Sequence, residues 1–193
     1  MDNRVKSIFF DEDKHEYWFV DAEGHHRQLK GITGAIGRKL GHVFPDTVLV
    51  QASIIYGQDV HHESEMWIKE GKEPSTQAGK WVVQQLKEFQ VKYNVVKYEA
   101  ELMVSDFIGT ASKIDIVAHL ADGKSVLFDI KTTSKFDREY CSLQLSCYSD
   151  LYEQNYGENV LGLFVLGTKS KRLFRIIYQG KEAVDKILAM NKE

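Results

Sequence analysis

The spacing of apolar residues changes along the chain, and each change predicts a change of secondary structure. Residues 75–92 place Trp81, Leu86 and Phe89 on one side of a helix, because residues three or four positions apart share a helical face. Residues 46–70 show a similar spacing and contain few helix breakers. The pattern therefore predicts two consecutive helices in the first half of the chain.

Capping residues predict where these helices begin and end. Asp46 is a candidate cap for the helix over residues 46–70, Gly57 is a candidate interruption within it, and Gly71 is a stop signal. Thr33 is a candidate cap for a short helix that runs toward Gly37.

Three runs rich in β-branched and aromatic residues then predict strands over residues 94–104, 112–120 and 125–131. The pair Asp122-Gly123 separates the last two runs and is a strong signal for a tight hairpin turn. We therefore expect three consecutive antiparallel strands. Shorter aromatic runs broken by turn residues over residues 7–31 predict a small β-meander before the helices.

The rest of the chain returns to a helical pattern over residues 137–156, which ends at Gly157. Two strands follow over residues 160–167 and 172–179, and a short helix begins at Lys181. From residue 75 onward the predicted order is helix, three strands, helix, two strands, helix. This order indicates an α/β fold.

Length and composition indicate one ordinary globular domain. The chain has 193 residues, of which 43% are apolar and 27% charged, and this mixture is typical of soluble proteins. We expect a single domain over 1–193, with a β-rich extension over 1–45 and the helices and core over 46–193. No apolar run reaches the roughly 18 residues of a membrane span and no signal peptide is apparent, so we expect a cytoplasmic protein without membrane contact.

Two charged residues interrupt the apolar strand over residues 125–131. Asp129 and Lys131 share one face of that strand, and the hairpin brings Asp115 of the preceding strand alongside. Carboxylates held together repel each other unless a cation lies between them, and Mg²⁺ is bound by such groups. A metal site for phosphodiester hydrolysis is one interpretation, with Lys131 holding the attacking water or stabilising charge. For the D-x-K triplet alone, a surface ion pair is the better interpretation.

The following helix adds Gln144 and Tyr148, which lie one turn apart on one face. Together, Asp115, Asp129-Ile130-Lys131 and Gln144-x-x-x-Tyr148 resemble the signature of the RecB-type branch of the PD-(D/E)xK nuclease superfamily. Upstream, Gly57 and His61 resemble the G-x-x-x-H segment of the same family. The resemblance covers about half of the chain, from Gly57 to Tyr148. One departure is Ser112, because the family usually has a glycine three residues before the first aspartate.

The resemblance implies a restriction-endonuclease-like αβββαβ core with a central mixed sheet flanked by helices. It also implies a Mg²⁺- or Mn²⁺-dependent deoxyribonuclease. The implied metal ligands are His61, Asp115, Asp129 and the Ile130 carbonyl, and the implied catalytic residues are Asp115, Asp129, Lys131, Gln144 and Tyr148. Gln144 and Tyr148 would orient the site or contact the DNA strand near it. The family often carries a further acid near the metal. Glu99 is favoured for this position, although Glu101 shares its face and the spacing does not choose cleanly between them.

The resemblance favours an exonuclease that acts on single- or double-stranded DNA ends in recombination, repair or phage DNA processing. The N-terminal residues resemble those of phage-encoded members, which would place the protein in the host cytoplasm, with a recombination or replication protein as a partner. The open alternatives are an inactive nuclease-fold subunit that binds DNA or assembles with other proteins, an endonuclease, and an enzyme that acts on RNA.

Other features limit the choice of cofactors and DNA contacts. Cys141 and Cys147 are too few for an iron–sulfur cluster, and about 9 Å of helix between them argues against a disulfide. Gly79-Lys80 lacks the glycines of a nucleotide-binding loop, so we expect no ATP site. The net charge of −3 argues against bulk coating of nucleic acid but permits a local basic surface. Candidate phosphate-binding residues are Lys169, Lys171 and Arg172, although a solvated hairpin tip explains them equally well.

Overall fold

The computed structural model describes residues 2–12, 14–42, 48–134 and 136–192, and the candidate cap Asp46 lies outside them. Within this part of the chain, eight strands form one mixed sheet flanked by five α-helices. The strands are β1 (Ile8–Asp11), β2 (Glu16–Val20), β3 (His26–Gly31), β4 (Val95–Ser105), β5 (Thr110–Leu120), β6 (Ser125–Lys131), β7 (Val160–Gly167) and β8 (Arg172–Ile176). The helices are α1 (Ile32–Leu40), α2 (Val48–Glu70), α3 (Gln77–Tyr93), α4 (Arg138–Tyr156) and α5 (Lys181–Ala189).

The predicted strands pair largely as expected. Strands β4, β5 and β6 are consecutive and antiparallel, and the turn between β5 and β6 contains Gly123 at a φ of 81°, as the hairpin signal predicts. Strands β6 and β7 are parallel and β7 and β8 antiparallel, so the sheet is mixed. The predicted meander, β1 to β3, is also confirmed. It is continuous with the main sheet, because β3 pairs in parallel with β5.

Strand β5 has one continuous edge and one interrupted edge. Strand β4 pairs along it over residues 111–120. On the other edge, β6 pairs with residues 116–119 and β3 pairs with residues 110–111. Residues 112–115 therefore lie in a gap between β3 and β6. This gap is where the candidate site forms.

The helices cover both faces of the sheet because successive strand residues point to opposite sides. Leu127 packs with α1, α4 and α5 in one apolar cluster. The next residue, Phe128, packs with α2 and α3 in a second cluster on the other face. The sheet is thus the middle of three layers, which explains why β6 carries apolar residues on both of its faces. No described helix is both long and apolar enough to cross a membrane.

Two predicted helix signals are wrong. Helix α2 continues through Gly57, where a Cβ atom would lie 3.2 Å from Thr132 Oγ1, so the glycine permits close packing and does not break the helix. Thr33 lies inside α1, whose cap position is Gly31. Because Gly31 is still paired with Ala111 of β5, the end of the strand pairing determines where α1 starts.

The predicted ends of α4 are confirmed, and α3 begins close to the expected position. Asp137 caps α4 by accepting a hydrogen bond from the Tyr140 N–H, and Gly157 ends the helix in the left-handed conformation. Thr76 caps α3 through the Gly79 N–H. These local signals were readable because caps depend on only a few neighbouring residues.

Candidate active site

Asp115 lies at the point where β5 and β6 separate. The last paired residues are Ile116 and Phe128. Beyond them, Asp115 Oδ2 accepts a hydrogen bond of 2.7 Å from the Ile130 N–H. The carboxylate therefore takes the place of a backbone carbonyl in the sheet and is held firmly at the gap.

Helix α2 brings His61 to the same point. Its neighbour Val60 is fully buried between α2 and the sheet, which fixes the helix over the strands. His61 Nε2 lies 3.2 Å from the Ile130 carbonyl oxygen, and Nδ1 lies 3.5 Å from Asp115 Oδ2. Burial lowers the pKa of His61, but Asp115 and the other nearby carboxylates raise it more, to about 9.

Glu101 completes a group of possible metal ligands with His61 and Asp115. One ligand atom from each of the three residues lies within 4.8 Å of the other two. Glu101 has a φ of 53°, which interrupts β4 opposite Asp115. Burial and the nearby Asp115 carboxylate raise the pKa of Glu101 to about 7, although Lys113 Nζ lies 3.6 Å away. Burial and Asp115 together therefore disfavour the ionised form of Glu101.

The sequence-based preference for Glu99 is not supported by where the structure places that residue. Glu99 lies opposite Val117 of β5, and its carboxylate contacts Lys97 at 2.6 Å and His119 at 2.9 Å. Those contacts direct it away from His61. The backbone conformation at Glu101, which residue spacing does not reveal, decides between the two acids.

Asp129 and Lys131 form a buried pair beside this group. Lys131 Nζ donates a 3.0 Å hydrogen bond to Asp129 Oδ1 and lies 2.8 Å from Oδ2, which receives no hydrogen bond although it is buried. Burial raises the pKa of Asp129 despite the lysine. Burial lowers the pKa of Lys131, but Asp129 and other negative groups hold it above its usual value. Phe128 and Ile130 pack on the opposite face, as the strand pattern predicts.

Gln144 and Tyr148 of α4 continue from Lys131 as a hydrogen-bonded chain. Lys131 Nζ donates to Gln144 Oε1 at 3.2 Å, and Gln144 Nε2 donates to the Tyr148 hydroxyl oxygen at 2.9 Å. Ser112 Oγ also donates to this oxygen, at 3.2 Å. Gln144 and Tyr148 are only 4% and 3% exposed, so these hydrogen bonds hold the Lys131 ammonium from the buried side of the site.

The predicted basic turn lies next to the site. Thr168, at the end of β7, donates its backbone N–H to the Lys131 carbonyl oxygen at 3.0 Å. Lys169 follows at once, and its Nζ lies 5.6 Å from the centre of the Tyr56 ring on α2. Lys169, Lys171 and Arg172 are all exposed.

Sequence reasoning missed the contributions of Ser112 and Thr168. Ser112 was noticed only because the resembled family usually has glycine there, and its contact with Tyr148 depends on how α4 packs on β5. Thr168 contacts Lys131 because β6 and β7 are parallel neighbours that end together. Neither contact has a signal in the local sequence.

No family model matches the sequence, and the search of curated proteins gives no match. Among solved structures, a proposed exonuclease from Eubacterium rectale is 11% identical with a TM-score of 0.43, over 85% of this chain and 77% of that chain. The protein SSO0001 is 16% identical with a TM-score of 0.35, over 83% of this chain and 82% of that chain. Both likenesses are too low to support an argument, so the function must be argued from the site.

Proposed function

We propose that this protein is a Mg²⁺- or Mn²⁺-dependent nuclease that hydrolyses phosphodiester bonds in DNA and acts at DNA ends. The observation that carries the proposal is the convergence of three carboxylates, a histidine and a partly buried lysine at the gap between β3 and β6. The order α3, β4, β5, β6, α4, β7 supports a restriction-endonuclease-like core, because it matches the αβββαβ order of that fold.

The residues present fit a divalent cation. His61, Glu101 and Asp115 would hold it together, with the Ile130 carbonyl close to His61. Asp129 lies beside this group and is paired with Lys131 through both carboxylate oxygens, so it would have to share its charge between the lysine and a cation. A bound Mg²⁺ or Mn²⁺ would supply Lewis-acid activation of water and neutralise charge on the phosphate.

Lys131 is the residue we place closest to the chemistry. Its ammonium is held by Asp129 and Gln144, so its direction is fixed before substrate arrives. In that position it would orient the attacking water and stabilise negative charge that develops on the phosphate. Gln144 and Tyr148 act as positioning residues, because their burial keeps them behind Lys131 and away from a DNA strand.

The preference for DNA ends rests on the motif resemblance, and the basic turn supports DNA as the substrate. Lys169, Lys171 and Arg172 would contact phosphates next to the site, and such contacts bind nucleic acid without reading its sequence. A local basic turn is compatible with the overall net charge of −3.

The test is digestion of end-labelled linear duplex, linear single-stranded and closed circular DNA with Mg²⁺ or Mn²⁺. The proteins compared are the wild type, Lys131→Ala and a matched control, Lys97→Ala, which removes an exposed lysine that pairs with Glu99 two residues away. We expect loss of label from linear DNA only, a decrease of about 10²- to 10³-fold in Lys131→Ala, and no decrease in Lys97→Ala.

The other outcomes each replace one part of the proposal. Nicking of the circle would make the protein an endonuclease, and faster cleavage of an RNA strand of the same sequence would change the substrate. No metal-dependent cleavage of any substrate would contradict the proposal and favour an inactive subunit that binds DNA.

A further inference from the structure

The early turns of α2 carry exposed apolar and aromatic side chains next to the candidate active site. Ile54, Ile55 and Tyr56 are 53%, 59% and 36% exposed. Ile54 lies three residues before Gly57, and Gly57 lies four residues before His61, so these three positions share one helical face. Ile54 therefore lies on the same side of α2 as His61, while Tyr56 lies about 100° around the helix from Gly57, on the side of Lys169.

Two contacts attach this part of α2 to the end of β6. Gly57 lies against Thr132, since a Cβ atom there would be 3.2 Å from Thr132 Oγ1. Thr132 directly follows Lys131 in the chain. Ile54 and Tyr56 lie within one helical turn of Gly57, so they are close to Lys131.

The basic turn after β7 also lies beside Lys131 and Tyr56. Thr168 is hydrogen-bonded to the Lys131 carbonyl oxygen, and Lys169 Nζ lies 5.6 Å from the centre of the Tyr56 ring. An exposed aromatic ring and a mobile positive charge therefore lie side by side at the edge of the site. This pairing is the combination that binds single-stranded nucleic acid, because bases stack on the ring while the cation binds phosphate.

We propose that the surface formed by Ile54, Tyr56, Thr132 and Lys169, called here the strand-entry surface, binds single-stranded DNA and guides its end into the active site. The inference rests on the proposed nuclease function and names its substrate as single-stranded ends. A duplex keeps its base faces stacked inside the helix, so it cannot use Tyr56 or Ile54 in this way.

Position and charge favour a DNA strand over a protein as the occupant. The surface is continuous with the active site through Gly57 and Thr132. The neighbouring Lys171 and Arg172 are exposed and positively charged, as phosphate binding requires. A substrate strand that reaches Lys131 from this side passes the Tyr56 ring.

The test is the binding of fluorescein-labelled twelve-residue oligothymidine by the whole chain, with Ca²⁺ in place of Mn²⁺. The variants are Tyr56→Ala and Lys169→Ala. We expect Tyr56→Ala to weaken binding at least about fivefold, as the loss of one stacked base does. We expect Lys169→Ala to weaken binding and to reduce its dependence on salt by about one phosphate contact.

The chain offers a matched control in Tyr93 and Lys92. Tyr93 is 43% exposed and Lys92 Nζ lies 5.1 Å from the centre of its ring, but the pair is at the end of α3, next to the opposite end of β4. Tyr93→Ala and Lys92→Ala should bind the oligothymidine as the wild type does. Circular dichroism of all four variants identifies any that fail to fold, and Tyr56→Phe, which keeps the ring, should bind normally.

Three results would overturn the inference. The first is that Tyr56→Ala and Tyr93→Ala weaken oligothymidine binding equally. The second is that the wild type binds a blunt duplex of the same length as tightly as it binds the oligothymidine. The third is that it binds the corresponding RNA strand as tightly as the DNA strand. The proposed nuclease function is tested separately, by hydrolysis of bis(p-nitrophenyl) phosphate by the wild type with Mn²⁺, and no hydrolysis would contradict it. That small phosphodiester needs the active site but is too short to reach the strand-entry surface.

Discussion

Two clusters of histidine and carboxylate side chains lie beside opposite ends of β6, although Glu99 and Glu101 are only two residues apart on β4, and the clusters differ in how well their charges are satisfied. The active-site cluster consists of His61, Glu101 and Asp115. The distal cluster consists of Glu99, His119, Ser125, Tyr152 and Glu158. The two have similar composition, so the difference between them shows what distinguishes a structural network from a binding site.

The distal cluster satisfies its own carboxylates. Glu158 Oε2 accepts hydrogen bonds from Ser125 Oγ at 2.6 Å and the Tyr152 hydroxyl at 2.7 Å. His119 lies between the two acids, 3.0 Å from Glu158 and 2.9 Å from Glu99. Burial raises the pKa of Glu99 and Glu158, but these hydrogen bonds lower it more, so both lie below the usual value.

In the active-site cluster the pKa of Glu101 moves the other way. Burial and Asp115 raise it to about 7, whereas His61 holds the pKa of Asp115 below its usual value despite burial. A network that is fully satisfied stabilises the fold, whereas one that is left unsatisfied costs stability unless something binds to it. The comparison therefore supports a cation site at one end of the sheet and a structural network at the other.

The largest expected difference between the clusters is in activity. Asp115→Asn keeps the shape of the side chain but removes its charge, so we expect metal-dependent cleavage of DNA to fall by at least about 100-fold. The matched change Glu99→Gln removes a carboxylate that also contacts a histidine, yet it should leave the rate of cleavage within about twofold, since that carboxylate contacts Lys97 and His119 and not the group of possible metal ligands. Equal losses of cleavage activity in Asp115→Asn and Glu99→Gln would contradict the distinction between the two clusters.

The second difference is in the pH dependence of stability without metal. A carboxyl group whose pKa is higher in the folded state than in the unfolded state costs stability as the pH rises between the two values. For Glu101 this window runs from the ordinary glutamate pKa of 4.5 to about 7. We therefore expect Glu101→Gln to be more stable than the wild type at pH 8, by about 1–3 kcal/mol, and equally stable at pH 4.

The same change in the distal cluster should have the opposite sign. The pKa of Glu99 is lowered by folding, so its ionised form contributes stability above the unfolded value that is lost as the pH falls through the folded one. Glu99→Gln should therefore be less stable than the wild type at pH 8. Urea unfolding of the wild type and both variants at pH 4 and pH 8 measures the change in the free energy of unfolding. If Glu101→Gln and Glu99→Gln change it in the same direction at pH 8, the comparison is contradicted.

The smallest effect is the loss of stability when the distal network is broken. Glu158→Ala leaves Ser125 Oγ and the Tyr152 hydroxyl without their shared acceptor, so we expect a loss of about 1–2 kcal/mol, reduced by the partial exposure of Glu158. This corresponds to a fall in Tm of about 2–8 °C. The control Glu182→Ala removes the exposed ion pair with Lys186 and should change Tm very little. An unchanged Tm in Glu158→Ala would show that the network is not structural.

Much of the fold and the identity of most site residues could be predicted from the sequence. The order of helices and strands from residue 75 onward was readable because each element has its own apolar period. Asp129 and Lys131 were identifiable because charge inside an apolar strand is costly. Asp115 followed from the hairpin between the two strands, which brings them side by side.

The errors arose where the structure depends on contacts between distant residues. The structure places Glu101, and not the expected Glu99, beside His61 and Asp115, where Glu101 has a positive φ that residue spacing does not report. Gly57 was interpreted as a helix breaker, but it is small because Thr132 lies against it. Contacts such as that of Thr168 with Lys131 depend on which strands are neighbours in the sheet.

The central claim is that the active-site cluster binds a divalent cation and the distal cluster does not. The most direct test is X-ray diffraction from crystals grown with Mn²⁺, with an anomalous difference map that locates the manganese. The account predicts a peak between His61, Glu101 and Asp115, and none beside His119. A map without a peak at the active-site cluster, or with its strongest peak at the distal cluster, would contradict it.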